Sequence, residues 1–173
     1  AHPSIINPTR RSMMMGNPNL NRYIGSLDHL AKQYLADPAN VNSTKSEVDR
    51  KLSKYNLNDK QKKDILSTIA YFTFRGTGTG LSKMGANSII EYSNKNLKFE
   101  MCETHQQQLE YVEKNWDRYI MSFRGHKKQR KSGKIRCNGL KASGLDENDQ
   151  QWGCFYEVNG EKYPRGALTI RIK

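Results

Sequence analysis

The sequence predicts an α+β protein: three short N-terminal helices, then a mainly antiparallel sheet that carries one long helix. Three observations predict it. Apolar residues recur at helical spacing between Leu20 and Phe72. Beyond a glycine-rich break they change to strict alternation, as in Leu97, Phe99 and Met101 against Lys98, Glu100 and Cys102. Asn159-Gly160 then stands between two β-type runs, the pair that closes a two-residue hairpin.

Residues 1–19 hold Pro3, Pro8 and Pro18 and read as an extended arm. The first helix runs from Leu20, with Tyr23, Ile24, Leu27, Leu30, Ala31, Tyr34 and Leu35 on one face, and Asp37-Pro38 ends it. Thr44-Lys45-Ser46-Glu47 has the form of a capping box, in which a hydroxyl and a carboxylate three residues on satisfy free backbone donors. It predicts a second helix with Val48, Leu52 and Tyr55 on its apolar side. Asn58-Asp59-Lys60-Gln61 supplies a third start signal, followed by Ile65, Leu66, Ile69 and Phe72.

Arg75-Gly76-Thr77-Gly78-Thr79-Gly80 has three glycines in its last five residues and cannot continue a helix. Two strands follow, from Ser88 to Tyr92 and from Leu97 to Cys102, joined through Ser93-Asn94-Lys95-Asn96. A long helix is expected from about Glu103 to Ser122, its stripe made by Leu109, Val112, Trp116, Tyr119 and Ile120. Lys134–Leu140 reads as a strand. A hairpin spans Trp152–Val158 and Lys162 onward, and Leu168, Ile170 and Ile172 mark a closing strand. The chain thus divides into an arm (1–19), a helical region (20–74) and an α+β region with a basic loop (75–173). The last two are expected to form one unit.

Charge is the main functional signal. The formal net charge is +12, and nine of those twelve units lie between Arg118 and Leu145, where no Asp or Glu occurs. Such a local excess implies a polyanionic partner, because neutralising phosphates releases condensed counterions. Arg124, Arg130 and Arg136 can chelate phosphate, and Lys127, Lys128, Lys131 and Lys134 add point charge. Gly125, Ser132 and Gly133 let a loop follow a phosphate backbone, and Trp116, Tyr119 and Phe123 are nearby rings for stacking on bases. The expected partner is nucleic acid, with RNA favoured over DNA. The bland alternative is a solvated charged loop.

Two constellations suggest chemistry. Glu91 and Glu100 lie across a short turn, where a carboxylate pair can hold Mg²⁺ to polarise a phosphodiester and activate water. Metal-dependent nucleases that use a hairpin this way carry a Lys two positions after the second acid; here that position is Cys102. Alternatively, His105 and His126 can serve as base and acid in a metal-free cleavage, beside cations that neutralise the phosphorane. The expected function is therefore nucleic-acid binding, as a small nuclease of toxin or effector type, with a cognate inhibitor protein as a further partner. Two alternatives stand beside it. One is a non-catalytic, nucleoprotein-like binder. The other is a protein-modifying transferase in which Arg75, on a strand, orients NAD.

Hydrophobic residues are 35% of the chain, and no apolar run approaches the ~20 residues of a membrane span. The opening residues show no signal-peptide pattern. Cys102, Cys137 and Cys154 lack zinc spacing and sit among apolar neighbours, so reduced, packed thiols in a reducing cytoplasm are expected.

Overall fold

The computed structural model describes residues 22–43, 48–75, 85–123, 155–164 and 168–173. The arm, the Thr44–Glu47 box, most of the glycine loop, the whole of Arg124–Arg136, the expected strand at 134–140, Cys137 and Cys154 lie outside them. The architecture is α+β.

Helix α1 (Ile24–Ala36) buries Ile24, Leu27, Leu30, Ala31, Tyr34 and Leu35, so the predicted face is the core face. Asp37 ends it and starts the one-turn helix α2 (Pro38–Val41), its side chain accepting from the Ala39 backbone N–H at 2.9 Å. Helix α3 (Asp59–Arg75) begins at a reciprocal cap. Asn58 Oδ1 accepts from Gln61 N (2.8 Å) while Gln61 Oε1 accepts from Asn58 N (3.0 Å). Helices α1 and α3 are also tied through a buried polar contact, where Ser26 Oγ donates to Asp64 at 2.6 Å.

The segment between them departs from expectation. Residues 50–51 form a short strand, β1 (Arg50–Lys51), and Leu52–Lys54 a 3-10 turn, where an α-helix was predicted. The apolar reading still holds, since Val48 and Leu52 are buried. The backbone instead pairs with a distant strand, β4 (Tyr119–Phe123), in the register Arg50↔Met121 and Lys51↔Ile120. Asp49 fixes the segment by pairing with Arg171 at 2.7 Å and Lys173 at 3.0 Å. Tertiary pairing overrides local propensity here.

The long helix is likewise shorter than predicted. Helix α4 (His105–Lys114) is capped by Thr104, and Asn115 ends it. A 3-10 turn (Trp116–Arg118) then leads straight into β4, all five of whose residues are buried. Tyr119, Ile120 and Phe123 are good strand formers, and a strand buried on both faces shows no alternation to betray it.

The sheet order is β1-β4-β7, with β7 (Leu168–Ile172) antiparallel to β4 in the register Tyr119↔Ile172 to Phe123↔Leu168. Phe123 stacks on Tyr34 of α1 (centroids 5.3 Å) and meets Tyr156 edge-on (5.9 Å). Tyr156 belongs to the hairpin β5 (Phe155–Val158)–β6 (Glu161–Pro164), whose turn Asn159-Gly160 has φ of 52° and 76° at its two residues. Both angles are what a type I′ turn requires.

The remaining hairpin is β2 (Ser88–Ser93)–β3 (Asn96–Met101), closed by Asn94 and Lys95 at φ 47° and 68°. It is anchored where α3 ends, because Ala86 N donates to Phe74 O at 2.6 Å. A side chain at Gly85 would put a Cβ 2.9 Å from that same oxygen, so the close approach requires glycine.

Candidate functional site

The hairpin β2–β3 and helix α4 with its 3-10 extension enclose a cleft of about 380 Å³. Cross-strand register puts Glu91 opposite Lys98 and Ile89 opposite Glu100. Residues 89, 91, 98 and 100 therefore share one face, and this face looks onto the cleft. Glu91 and Glu100, the two carboxylates expected to act together, are diagonal neighbours on this face. From the other wall come Tyr111, Lys114, Asn115 and Arg118. Their spacing of three, one and three residues is that of a single helical face, held through the 3-10 turn.

Each carboxylate already has a cation. Arg118 grips Glu91 with both arms of its guanidinium, Nη1 to Oε1 at 2.8 Å and Nη2 to Oε2 at 3.2 Å. Tyr111 Oη donates to the same Oε1 at 3.1 Å. Asn115 holds the arginine in place, its Oδ1 accepting from Nη1 at 2.9 Å while its Nδ2 donates to Tyr111 O at 2.8 Å. Glu100 is paired with Lys114. The hydrogen bonds from Arg118 hold the Glu91 carboxyl below its ordinary value, and the same bonds raise Arg118. Burial pushes the Tyr111 hydroxyl well above the usual phenol range, with Tyr119 and Glu91 adding to the shift.

Among the described residues, no group of three His, Cys, Asp or Glu side chains is placed to hold a metal ion. Glu91 and Glu100 supply two carboxylates to the cleft, and a Mg²⁺ ion there would have to replace Arg118 and Lys114 as their counter-charge. With three cations against two acids, the cleft is one positive charge in excess. Lys98 carries it, since its ammonium forms no ion pair among the described residues and acts on Glu91 only through space.

The other predicted residues fall elsewhere. His105 is exposed in the first turn of α4 and does not line the cleft. His126, Arg124, Lys127, Lys128, Arg130, Lys131, Lys134 and Arg136 lie outside the described residues. Arg75 closes helix α3 instead of standing on a strand, which removes the premise that it orients NAD from a strand. Cys102 is buried, and burial, helped by the charge of Glu100, pushes its thiol up, away from nucleophilic use. Tyr119 and Phe123 are core residues, not stacking platforms, and Trp116 is largely buried with Lys62 over its ring at 5.6 Å.

Sequence reasoning passed over Tyr111, Lys114 and Asn115, and counted Arg118 only as part of the basic stretch. Their common spacing was the available signal. No protein-family model, curated protein or solved structure matches this chain. No helix among the described residues is long and apolar enough to cross a membrane.

Proposed function

We propose that this protein binds nucleic acid, RNA in preference to DNA, and acts on its phosphodiester backbone as a small nuclease of the cytoplasm. The observation that carries the reading is the run of nine Lys and Arg residues without an acid between Arg118 and Leu145. Arg118 is committed to Glu91, which leaves eight cations of the run, Arg124 to Lys141, for phosphates. The cleft lies where this run begins, and the spare charge of Lys98 suits a phosphate there.

In a cleavage scheme Glu91 is the base. Its carboxylate is ionised at neutral pH and oriented by Arg118 and Tyr111. A phosphate drawing Arg118 toward itself would free that carboxylate to take the proton of the ribose 2′-hydroxyl as its oxygen bonds to phosphorus. The P–O5′ bond breaks, the leaving oxygen takes a proton from water, and Lys98, Lys114 and Arg118 offset the charge that builds on the phosphorane. Mg²⁺ bound by Glu91 and Glu100 is the metal-dependent form of the same proposal.

A second reading is a non-catalytic binder, favoured by the ion pairs that already neutralise both carboxylates. Incubation with total RNA and with duplex DNA, with and without EDTA, separates these. Cleavage abolished by EDTA supports the metal form. Cleavage that survives EDTA and is lost in Glu91→Gln supports the metal-free form. Retention of RNA at low salt without cleavage supports the binder, and failure to retain either polymer overturns all three.

A further inference from the structure

The hairpin β2–β3 is amphipathic in an unusual sense. Its charged face, with Glu91, Lys98 and Glu100, is the one turned toward α4. Its other face presents Ile90 and Phe99 as one cross-strand pair, Tyr92 and Leu97 as the next, and Met101 beside Ser88. Among the described residues these five are the exposed large hydrophobic side chains, from 42% at Met101 to 73% at Tyr92. At about 150–250 Å² for a fully accessible large side chain, they present on the order of 600 Å² of apolar surface. Patches of this size mark interaction surfaces.

We propose that this face is the interface of a homodimer, in which two copies stack their hairpins face to face about a two-fold axis. The chemistry selects a protein partner over nucleic acid, because the six residues pointing this way include no cation to meet a phosphate. The area argues for a second copy. A standard interface covers about 800 Å² on each partner, and this patch supplies most of that as an apolar centre. A two-fold axis needs only one self-complementary patch, and alternating aliphatic and aromatic rows can interleave with their own image at the ~10 Å spacing of packed sheets. A two-stranded sheet with one bare face is also marginal by itself, and a second hairpin completes a two-layered unit. The reading does not depend on the nuclease proposal, since the patch faces away from Glu91 and Glu100, and of its five apolar residues Phe99 alone also borders the cleft.

The test is sedimentation velocity of the full chain over a range of concentrations, without nucleic acid. The expected result is a concentration-dependent shift to twice the monomer mass. Phe99→Glu and Ile90→Lys should each weaken association by roughly thirtyfold or more, the effect of a change at an interface centre. Both side chains are exposed, and an unchanged thermal melt of the diluted variants confirms their fold. For a readout free of charge effects, Tyr92→Cys should be joined across the two-fold axis by a short bis-maleimide, each thiol adding across one maleimide double bond, in the dimer only. A monomer at every concentration overturns the proposal, as does a dimer that both variants leave intact.

Discussion

The two faces of strand β4 and the two faces of strand β3 use apolar residues in opposite ways. In β4, Tyr119 to Phe123 are buried throughout, between a paired strand on each side and helix α1 beyond. In β3, the alternation is regular, but the charged side faces α4, with Glu100 half-buried and Lys98 exposed, and the apolar side is open. A core strand and an interface strand can thus carry similar residues, and the side that receives the charge tells them apart. Glu91 and Glu100 draw the hairpin onto α4 and its 3-10 extension through Arg118 and Lys114, which leaves Phe99 and its neighbours outward.

Two phenylalanines sharpen that comparison most. Phe123→Ala removes a ring packed between Tyr34 and Tyr156 and should cost about 3–5 kcal/mol in urea unfolding. Glu91→Gln comes next. It loosens a two-armed pair that is partly screened by solvent, and a loss of about 1–2 kcal/mol is expected. The sign with pH is fixed. Because the folded Glu91 carboxyl lies below its ordinary 4.5, its contribution is complete above that value and disappears as pH falls through the lowered folded value. The stability gap between wild type and Glu91→Gln should therefore be constant at neutral pH and close in acid. A gap that widened in acid would contradict the pairing.

Asn58→Ala removes one half of the cap on α3, at a cost of about 1 kcal/mol by thermal melt. Phe99→Ala should change the stability of the dilute protein by less than about 0.5 kcal/mol. If it matched the cost of Phe123→Ala, the hairpin would be core and the contrast would fail.

The sequence was most legible where local chemistry dictates the backbone. Asn159-Gly160 and Asn94 accept the positive φ their turns require, while Lys95 adopts it against its own preference, so the first hairpin follows from its turn residues and the second from Asn94 and its alternating strands. Asn58 and Gln61 mark the start of α3 in the same local way. Readings failed where the deciding partner is far along the chain. Val48, Leu52 and Tyr55 fit a helical face, but Arg50 pairs with Met121. Trp116, Tyr119 and Ile120 prolong the stripe of α4, although the backbone has already turned into β4. The site shows the same division. Glu91 and Glu100 could be placed together from the hairpin alone. Arg118 and Tyr111 stand 27 and 20 residues from Glu91, and only the fold brings them to it.

The proposed nucleic-acid contact is tested most directly by the salt dependence of RNA binding, compared between the wild type and a variant with Lys127, Lys128, Arg130 and Lys131 all changed to Ala. Each phosphate contact adds about 0.7–0.9 to the slope of log affinity against log salt. The account predicts steep salt dependence in the wild type and a slope reduced by up to about three units in the variant. Identical slopes would place the phosphate-binding surface on another part of the molecule and contradict it.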